Sequence, residues 1–277
     1  MIKLSVICVV YNVEPVKCKT LSSLESLDLP SCDIKIKVHI WDNSADGFGI
    51  DSLAFMKLPS SYQHSGKNSS LAEAYNSVIK IDSSANYYLI LDDDSIITQE
   101  YFEALVTFVN TGKKLAIPKI FNSGKLISPG KIKGVRGVEL SVDSLQKGDN
   151  QITSFTAMMS GTIINRDVFD FGIQFDERLT LYGIDTKFFL DFQKKFTGFY
   201  LMDVSLEHDS ALRNDDLLID NKLSRLRNLF KSWYIVFCDV SFFRSKLAFY
   251  IAAASLKLAI KKREINYLSL LKCIRFK

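Results

Sequence analysis

The chain has 277 residues, of which 47% are hydrophobic and 24% are charged, so it can bury a full core and is neither intrinsically disordered nor a small disulfide-stapled domain. Its net charge of +4 is unevenly divided, because residues 221–277 carry 13 basic and 2 acidic side chains whereas residues 1–220 carry 22 basic and 29 acidic side chains. Residues 1–220 therefore have a net charge of −7 and residues 221–277 a net charge of +11, which disfavours a uniformly basic nucleic-acid binder. This difference predicts two parts, 1–220 and 221–277, that contact different surroundings.

The N-terminal residues predict a β-strand and not a signal peptide. Residues 4–10 form a β-branched apolar run that ends at Tyr11-Asn12, without a small-residue cleavage site. The cysteines are odd in number and form no C-x-x-C pair, which indicates free thiols in a reducing compartment; they are Cys8, Cys18, Cys32, Cys238 and Cys273. We therefore expect a cytoplasmic protein.

Helix and strand patterns alternate after the first strand. Residues 20–29 carry leucines at helical spacing, and residues 34–40 alternate apolar with polar side chains before Trp41-Asp42-Asn43. Ser70 and Glu73 form a capping box that begins a helix reaching residue 79.

A third strand, residues 87–91, runs directly into three aspartates. Thr98 is the predicted N-cap of the following helix, which stops near Gly112. This alternation predicts an α/β fold with a mostly parallel sheet flanked by helices, and ligands bound at the carboxyl ends of the strands.

The pattern is weaker in the second half of the body. Residues 113–151 are rich in Gly, Ser, Lys and Pro, which predicts edge strands and mobile loops near a binding site. Residues 152–165 are apolar again but are interrupted by Ser160-Gly161, and residues 175–196 predict a loop followed by a helix.

The basic tail predicts helices that do not cross a membrane. Its longest uncharged stretch is residues 247–256, about half of the roughly 20 residues that a span requires. Lys246, Lys257 and Lys261 share one side of a helix, which is typical of an amphipathic helix at an anionic membrane surface. The alternative is a helical hairpin that packs on the core and exposes a solvated Lys/Arg face.

The acidic run Asp92-Asp93-Asp94 is the strongest chemical signal in the chain. Three adjacent carboxylates repel one another, and a divalent cation shared with substrate phosphates is the usual compensation. Because side chains alternate along an extended backbone, Asp92 and Asp94 point the same way. The alternative is a solvated acidic turn that caps the next helix.

Several motifs together resemble family 2 glycosyltransferases, and rhamnosyltransferase-like members in particular. In chain order they are S-V-I-C-V-V-Y-N, W-D-N-S, G-K-N-S-S-L-A-E-A-Y-N, L-D-D-D-S, the S-G of Ser160-Gly161, F-D-E-R-L-T-L-Y-G-I-D-T-K-F-F and E-H-D-S, and they cover residues 1–212. The resemblance implies a GT-A fold for residues 1–220, and the tail pattern predicts a basic helical extension beyond it. The cysteines, the N-terminus and the basic tail together predict a cytoplasmic enzyme that is peripheral on the inner face of the cell membrane.

The resemblance further implies transfer of a hexosyl group, with inversion, from a UDP- or dTDP-sugar. The acceptor would be a glycan or a polyprenyl-linked glycan of bacterial surface polysaccharide, such as O-antigen or capsule. The cofactor would be Mn²⁺ or Mg²⁺, and no nucleic acid would be bound.

The resemblance assigns roles to individual residues. Tyr11 would line the nucleotide pocket, with Asn68 and Asn76 beside it. Asp42 would bind the N–H of the base ring, although W-D-N-S also reads as an Asx turn. Asp92 would hold the ribose or assist at the metal.

Two more assignments concern the metal and the sugar. Asp94 would bind the metal that bridges the diphosphate, and His208 would be a further metal ligand. Ser160 and Gly161 would lie at the donor sugar and the acceptor. The other histidines, His39 and His64, are expected to be ordinary, partly exposed side chains.

Asp185 matches the carboxylate that acts as the catalytic base in the family. The acidic neighbour that usually accompanies it is absent here, so Asp176 and Glu177 are competing candidates. Ser70 also stands where relatives commonly have Gly, which would narrow the donor pocket or simply cap the helix.

Two other functions remain open. A sugar-phosphate nucleotidyltransferase would use a similar sheet and metal site, but it needs an N-terminal Gly-rich loop with basic residues, and residues 9–13 contain neither. A non-catalytic, membrane-docking protein of the same fold would not need Asp92, Asp94, Asp185 and His208 together.

Overall fold

The fold was analysed in a computed structural model, which describes residues 1–28, 34–208 and 218–275. The strands are β1 (Ile2–Val10), β2 (Ile34–Asp42), β3 (Ser60–His64), β4 (Tyr87–Asp92), β5 (Leu115–Asn122), β6 (Lys125–Ser128), β7 (Gly130–Lys133), β8 (Arg136–Glu139), β9 (Gly148–Asn150), β10 (Phe155–Thr156), β11 (Thr162–Asn165) and β12 (Phe199–Glu207). The α-helices are α1 (Lys19–Glu25), α2 (Leu71–Ile81), α3 (Gln99–Val109), α4 (Asp167–Asp170), α5 (Ile184–Phe192), α6 (Ile219–Val236) and α7 (Phe243–Lys262). Short 3-10 turns are formed by Pro15–Lys17, Ile50–Leu53, Val142–Ser144 and Ile265–Cys273.

The central sheet has the order β3-β2-β1-β4-β11-β5-β12-β9, with β6 paired to β5. Strands β3, β2, β1 and β4 are parallel, as are β5 and β12, whereas β11, β6 and β9 pair antiparallel. Val10 pairs with Asp42 and Val9 pairs with Asp92, so the carboxyl ends of β1, β2 and β4 lie at one edge. The predicted mostly parallel α/β sheet is confirmed.

Alternation along the strands divides the core between the two faces of this sheet. On β1, Cys8 and its alternate neighbours pack with α1 and α3, whereas Ile7 and Val9 pack with α2 and α5. Both faces of the sheet therefore carry apolar side chains. Burial of each Leu or Phe side chain stabilises the fold by about 1.5 to 3 kcal/mol, so helices that cover both faces add to the stability. Among the described cysteines all thiols are free, and Cys32 lies outside the described residues.

Two predicted helix starts are confirmed. Ser70 Oγ accepts a hydrogen bond from the backbone N–H of Glu73 at 3.0 Å, which fixes the start of α2. Thr98 Oγ1 accepts from the backbone N–H of Tyr101 at 3.3 Å at the start of α3. Each hydroxyl satisfies a backbone donor that has no partner within its helix.

The structure also defines strands that the sequence either missed or predicted only as unassigned edge strands and loops in residues 113–151. Residues 113–151 hold β5 to β9, and β10, β7 and β8 form a separate three-stranded antiparallel sheet. The edge strand β3 was missed because its residues are polar and only partly buried. The expectation for His39 is wrong, because its ring is fully buried between Ser61 Oγ at 2.8 Å and Asp82 at 3.1 Å.

The basic tail packs on the body through part of its surface. Helix α6 buries Leu223 and Phe230 in the core, and a Cβ atom added to Gly183 at the start of α5 would lie 2.7 Å from Val236 Cγ2. Helix α7 buries Leu247 and Ile251 in the same core. No helix in the described part of the chain is long and apolar enough to cross a membrane. The domain boundary after residue 220 stays a prediction.

Candidate active site

The acidic run lies at the carboxyl edge of the sheet and is held there by the start of α1. Thr20 Oγ1 donates a hydrogen bond to the backbone carbonyl of Asp92 at 2.5 Å, and Cys18 Sγ donates to that of Asp93 at 3.2 Å. The backbone N–H of Thr20 also donates to the carbonyl of Asp93 at 3.4 Å. These contacts fix the backbone, so the carboxylates of the run are presented from a rigid element.

Asp92, Asp94 and His208 form a group of three ligands for a metal ion. One donor atom from each lies within 4.8 Å of the other two, and His208 Nδ1 is 3.7 Å from Asp94 Oδ1. Ligands around an octahedral Mg²⁺ at about 2.1 Å are separated by about 3.0 Å in cis and about 4.2 Å in trans positions. Two carboxylates and one imidazole at this spacing fit a divalent cation after small side-chain rotations.

His208 lies close to the acidic run although it is 114 residues beyond Asp94 in the chain. It follows β12, where its backbone N–H donates to the carbonyl of Phe121 at 2.9 Å. Asn122 Nδ2 donates to the carbonyl of His208 at 2.9 Å. Both contacts come from β5, so pairing of β5 with β12 brings the histidine to β4. Asp209 and Ser210 of the E-H-D-S motif lie outside the described residues.

The electrostatics of the acidic run favour a bound cation. Burial raises the pKa of Asp92 to about 6, the nearby His208 opposes this rise, and the charges of Asp94 and Asp93 add to it. Burial and the charge of Asp94 also raise the pKa of Asp93. A cation placed among these groups would stabilise their ionised forms.

Asp185 lies at the start of α5 and faces the same cleft as Asp92. Gly183 precedes the helix with a φ of +84°, a conformation that glycine adopts without strain, and the backbone N–H of Met159 donates to Asp185 Oδ2 at 3.1 Å. Burial raises the pKa of Asp185 to about 7, and the charge of Asp92 adds to the rise. A carboxylate with this pKa is a suitable general base near neutral pH.

The two competing candidates for the base are engaged elsewhere. Arg178 donates to both carboxylate oxygens of Asp176, at 2.8 and 2.5 Å, and this hydrogen bonding lowers the pKa of Asp176. Glu177 Oε1 accepts from Asn76 Nδ2 at 2.9 Å. Both therefore organise the loop before α5.

Ser160 and Gly161 form hydrogen bonds to residues in and next to the acidic run and to α3. Ser160 Oγ is 2.6 Å from Ser95 Oγ and accepts from the backbone N–H of Asp92 at 3.2 Å. The backbone carbonyl of Gly161 accepts from Tyr101 Oη at 2.6 Å, and its φ is +77°. The contacts to Ser95 and Tyr101 are buried, and the contact to Asp92 is partly buried. The assignment of Ser160 and Gly161 to the donor sugar and the acceptor stays a prediction.

Tyr11 lies at the carboxyl end of β1, with half of its surface (50%) exposed. Its backbone amide lies near the Asp93 carboxyl group and acts to lower the pKa of that group, although burial and the charge of Asp94 raise it overall. The next residue, Asn12, has a φ of +55° and donates its backbone N–H to Ser44 Oγ at 2.8 Å. The exposed ring is free to stack on a planar base.

Asp42 is fully buried at the end of β2 and organises the following loop. Its carboxylate accepts from the backbone N–H groups of Ser44 at 2.9 Å and Phe48 at 3.0 Å, and from Tyr62 Oη at 2.5 Å. Burial acts to raise its pKa, but these hydrogen bonds hold the pKa of Asp42 below its ordinary value. The contact to Ser44 is the Asx turn that the motif allowed, and a contact to a base stays a prediction.

The two asparagines predicted beside the nucleotide differ in their surroundings. Asn68 is exposed, and its Oδ1 accepts from Asn43 Nδ2 at 2.9 Å, which places it next to the end of β2. The amide of Asn76 accepts from the backbone N–H of Phe175 at 3.1 Å and donates to its carbonyl at 2.9 Å. Asn76 therefore joins α2 to the loop before α5.

A cavity of about 590 Å³ opens beside Asp185 and His208. Its walls come from the three-stranded sheet, the start of α5 and one residue of α6; besides Asp185 and His208 they are Ile127, Gly130, Gly137, Val138, Glu139, Thr156, Ala157, Met158, Leu181, Tyr182, Gly183, Thr186 and Leu229. The sequence analysis predicted that residues 113–151 lie near a binding site, but it did not identify the wall residues that this segment contributes, because the segment carries no periodic pattern that would place them next to Asp185.

Comparison with solved structures shows the same fold in other proteins. S. aureus TarS 1-349 in complex with UDP-GlcNAc has a TM-score of 0.60 and 16% identity, covering 99% of this chain and 82% of that one. GalNAc-T7 with UDP, GalNAc and Mn²⁺ has a TM-score of 0.60 and 12% identity, covering 83% of this chain. The longer S. aureus TarS chain has a TM-score of 0.56 and 16% identity, with 84% of the present chain covered. The present chain spans only 44% of the length of that TarS chain and 47% of the length of GalNAc-T7.

Sequence comparison assigns the family directly. No curated protein matches the chain. Residues 5–170, more than half of the chain and the part that carries the acidic run, match the family model described as glycosyl transferase family 2. The chain therefore belongs to glycosyl transferase family 2, with a GT-A fold.

Proposed function

We propose that this protein is a divalent-metal-dependent, inverting glycosyltransferase. It transfers a hexosyl group from a UDP- or dTDP-sugar to a hydroxyl group of a glycan or lipid-linked acceptor, in synthesis of a bacterial surface polysaccharide such as O-antigen or capsule. One observation carries the proposal. The candidate metal ligands Asp92, Asp94 and His208 lie next to Asp185 and to an open cavity at one edge of the sheet.

The donor half of the site would bind the nucleotide diphosphate. Asp94 and His208, with Asp92 beside them, would hold Mn²⁺ or Mg²⁺, and this cation would neutralise the diphosphate and stabilise the departing nucleoside diphosphate. Tyr11 offers an exposed ring at the same edge for the base. TarS was solved with UDP-GlcNAc, and GalNAc-T7 with UDP, GalNAc and Mn²⁺, which supports a UDP-sugar and a divalent cation here.

Asp185 would act as the general base towards the acceptor. Its carboxylate takes the proton of the acceptor hydroxyl while that oxygen forms a bond to the anomeric carbon. The bond from this carbon to the phosphate oxygen breaks, and its electron pair leaves with the nucleoside diphosphate. Attack from the side opposite the leaving group inverts the anomeric centre. The Met159 N–H orients Asp185 for this step.

The cavity beside Asp185 would receive the acceptor. Apolar side chains such as Met158, Leu181 and Val138 supply surface for the C–H groups of sugar rings, and Thr156 and Thr186 supply hydroxyl groups. The basic surface of residues 221–277 favours a lipid-linked acceptor at an anionic membrane, with the enzyme in the cytoplasm and peripheral on the inner face.

The proposal is tested by donor binding and by turnover. Calorimetry should show UDP or dTDP binding that requires Mn²⁺ or Mg²⁺ and is lost on chelation, because the diphosphate and the acidic run otherwise repel. Asp94→Ala should abolish tight binding. Glu103→Ala, which removes an exposed carboxylate from α3, is the matched control and should bind like the wild type. Equal affinity of wild type and Asp94→Ala with metal present would refute the metal-dependent mechanism. Absence of donor hydrolysis with every nucleotide sugar and metal would refute the transferase.

A further inference from the structure

Helix α7 has two apolar faces, and only one of them is covered. Leu247 and Ile251 are buried against the rest of the protein. Phe249, Leu256 and Ile260 are 78%, 55% and 70% exposed, respectively. Together with the exposed Ala253 they follow a spacing of four, three and four residues, which puts them within about 60° of one another on a helix with 3.6 residues per turn. This exposed set is called the α7 stripe below.

Two further exposed apolar side chains lie next to the ends of the helix. Phe242, the residue before α7, and Ile265, in the 3-10 turn after it, are among the most exposed large apolar side chains of the described chain. A contiguous set of exposed apolar side chains such as the α7 stripe indicates an interaction site.

Lysines border the stripe along one side. Lys246, Lys257 and Lys261 lie about 60° to 120° around the helix from Phe249, and all three are exposed. The two acids of the tail lie elsewhere: Asp239 pairs with Lys194 at 2.5 Å, and Glu264 caps the following turn by accepting from the backbone N–H of Asn266 at 3.1 Å. Along this side of α7 the charged side chains that border the stripe are therefore all basic.

We propose that the α7 stripe docks onto an anionic lipid bilayer, with the helix lying in the plane of the interface and its opposite face fixed to the catalytic domain. Apolar side chains enter the boundary between headgroups and acyl chains, while the lysines contact lipid phosphates. A second copy of the chain is a poorer occupant, because antiparallel two-fold pairing of the stripe brings the two lysine rows together, and parallel pairing leaves them without anionic partners.

This docking would also orient the cavity beside Asp185, and in this respect it rests on the proposed function. Trp233 of α6 contacts Tyr250 of α7, with ring centroids 5.1 Å apart, and Leu229 of α6 lines the cavity. Arg136 in the β7–β8 hairpin lies close enough to Tyr250 to offset part of the pKa rise that burial causes. The cavity walls and α7 are thus joined through α6 and β8, which favours an acceptor whose sugar is linked to a membrane lipid.

The test is flotation of the full chain with vesicles of phosphatidylglycerol and phosphatidylcholine. Phe249→Glu with Leu256→Glu should lower the bound fraction at least tenfold, and high salt should weaken binding of the wild type. Ile81→Glu, at an exposed apolar residue that ends α2, is the matched control and should bind like the wild type. Lys246→Gln with Lys257→Gln should weaken binding to anionic vesicles several-fold, without disturbing apolar packing.

Three results would overturn the docking surface. They are a wild type that does not float with anionic vesicles, a double glutamate variant that floats as well as the wild type, and a dimer in light scattering that the double glutamate variant dissociates. Unchanged thermal midpoints and unchanged donor hydrolysis in solution check that the variants stay folded and active. Vesicle binding without any donor hydrolysis would refute the proposed function and leave the docking surface in place.

Discussion

Replacement of Asp185 by asparagine should raise the stability of the metal-free protein while it destroys transfer. Burial and the charge of Asp92 raise the pKa of Asp185 from its ordinary 3.8 to about 7. The folded protein therefore holds this proton more tightly than the unfolded chain does, and ionisation at high pH costs folding free energy. Asparagine keeps an oxygen for the Met159 N–H and carries no charge.

The magnitude follows from the pKa difference. At 1.36 kcal/mol per pH unit, a rise of about three units corresponds to an upper bound of about 4 kcal/mol above pH 7. Asp185 lines an open cleft where water screens its charge, so we expect a gain of about 1 to 3 kcal/mol. The gain in the free energy of unfolding grows as pH rises from about 4 to 7 and reaches its maximum above pH 7. At pH 5 it is less than half of this maximum.

The assay is thermal unfolding in a chelator at pH 8 and pH 5, combined with transfer measurements with metal. Asp185→Asn should raise the unfolding midpoint by roughly 2 to 5 °C at pH 8 and by less than half of that at pH 5. Transfer should fall about 10² to 10⁴-fold while donor affinity stays near that of the wild type. Lower stability of the variant at pH 8 would refute the raised pKa of Asp185. Nearly full transfer by the variant would refute its role as the general base, and Asp176 and Glu177 would then be the candidates.

Three further outcomes are expected. In wild type the transfer rate should fall about tenfold per pH unit below the pKa of Asp185, because the base must be ionised; a pH–rate profile checks this, and a flat profile would count against it. Gly161→Ala should cost about 2 to 5 kcal/mol, since its Cβ would lie 2.6 Å from Leu206 at a φ of +77°, whereas Gly124→Ala, at +74° in open space, should cost only about 1 to 2 kcal/mol; equal thermal shifts would contradict this. Thr98→Ala removes the cap of α3 and should cost about 1 kcal/mol in denaturant unfolding, so an unchanged midpoint would argue against the capping bond.

Local sequence patterns predicted most elements of the first hundred residues, with the edge strand β3 as the exception. The β-branched run of β1, the alternation in β2 and the hydroxyl caps at Ser70 and Thr98 depend on neighbours within four residues, and each element forms where its pattern predicts. The position of the acidic run also followed from sequence, because carboxyl ends of parallel strands share one edge of a sheet.

Tertiary structure decided everything that depends on distant residues. Asp185 is 93 residues beyond Asp92 in the chain, and only the packing of α5 against the sheet brings its carboxylate close enough for Asp92 to raise its pKa. The cavity walls from β7, β8 and β10 have no periodic pattern, because short strands with mixed exposure bury too few side chains to produce one.

The basic tail shows the same division between sequence and structure. Its charge, its helical character and its inability to span a bilayer as one helix were determined by composition and by the length of its uncharged stretch. Which apolar residues of α7 stay exposed could not be predicted from sequence, because its apolar residues surround the helix. Only contact with α6 and the following turn decides that Leu247 and Ile251 are covered while Phe249 and Ile260 are not.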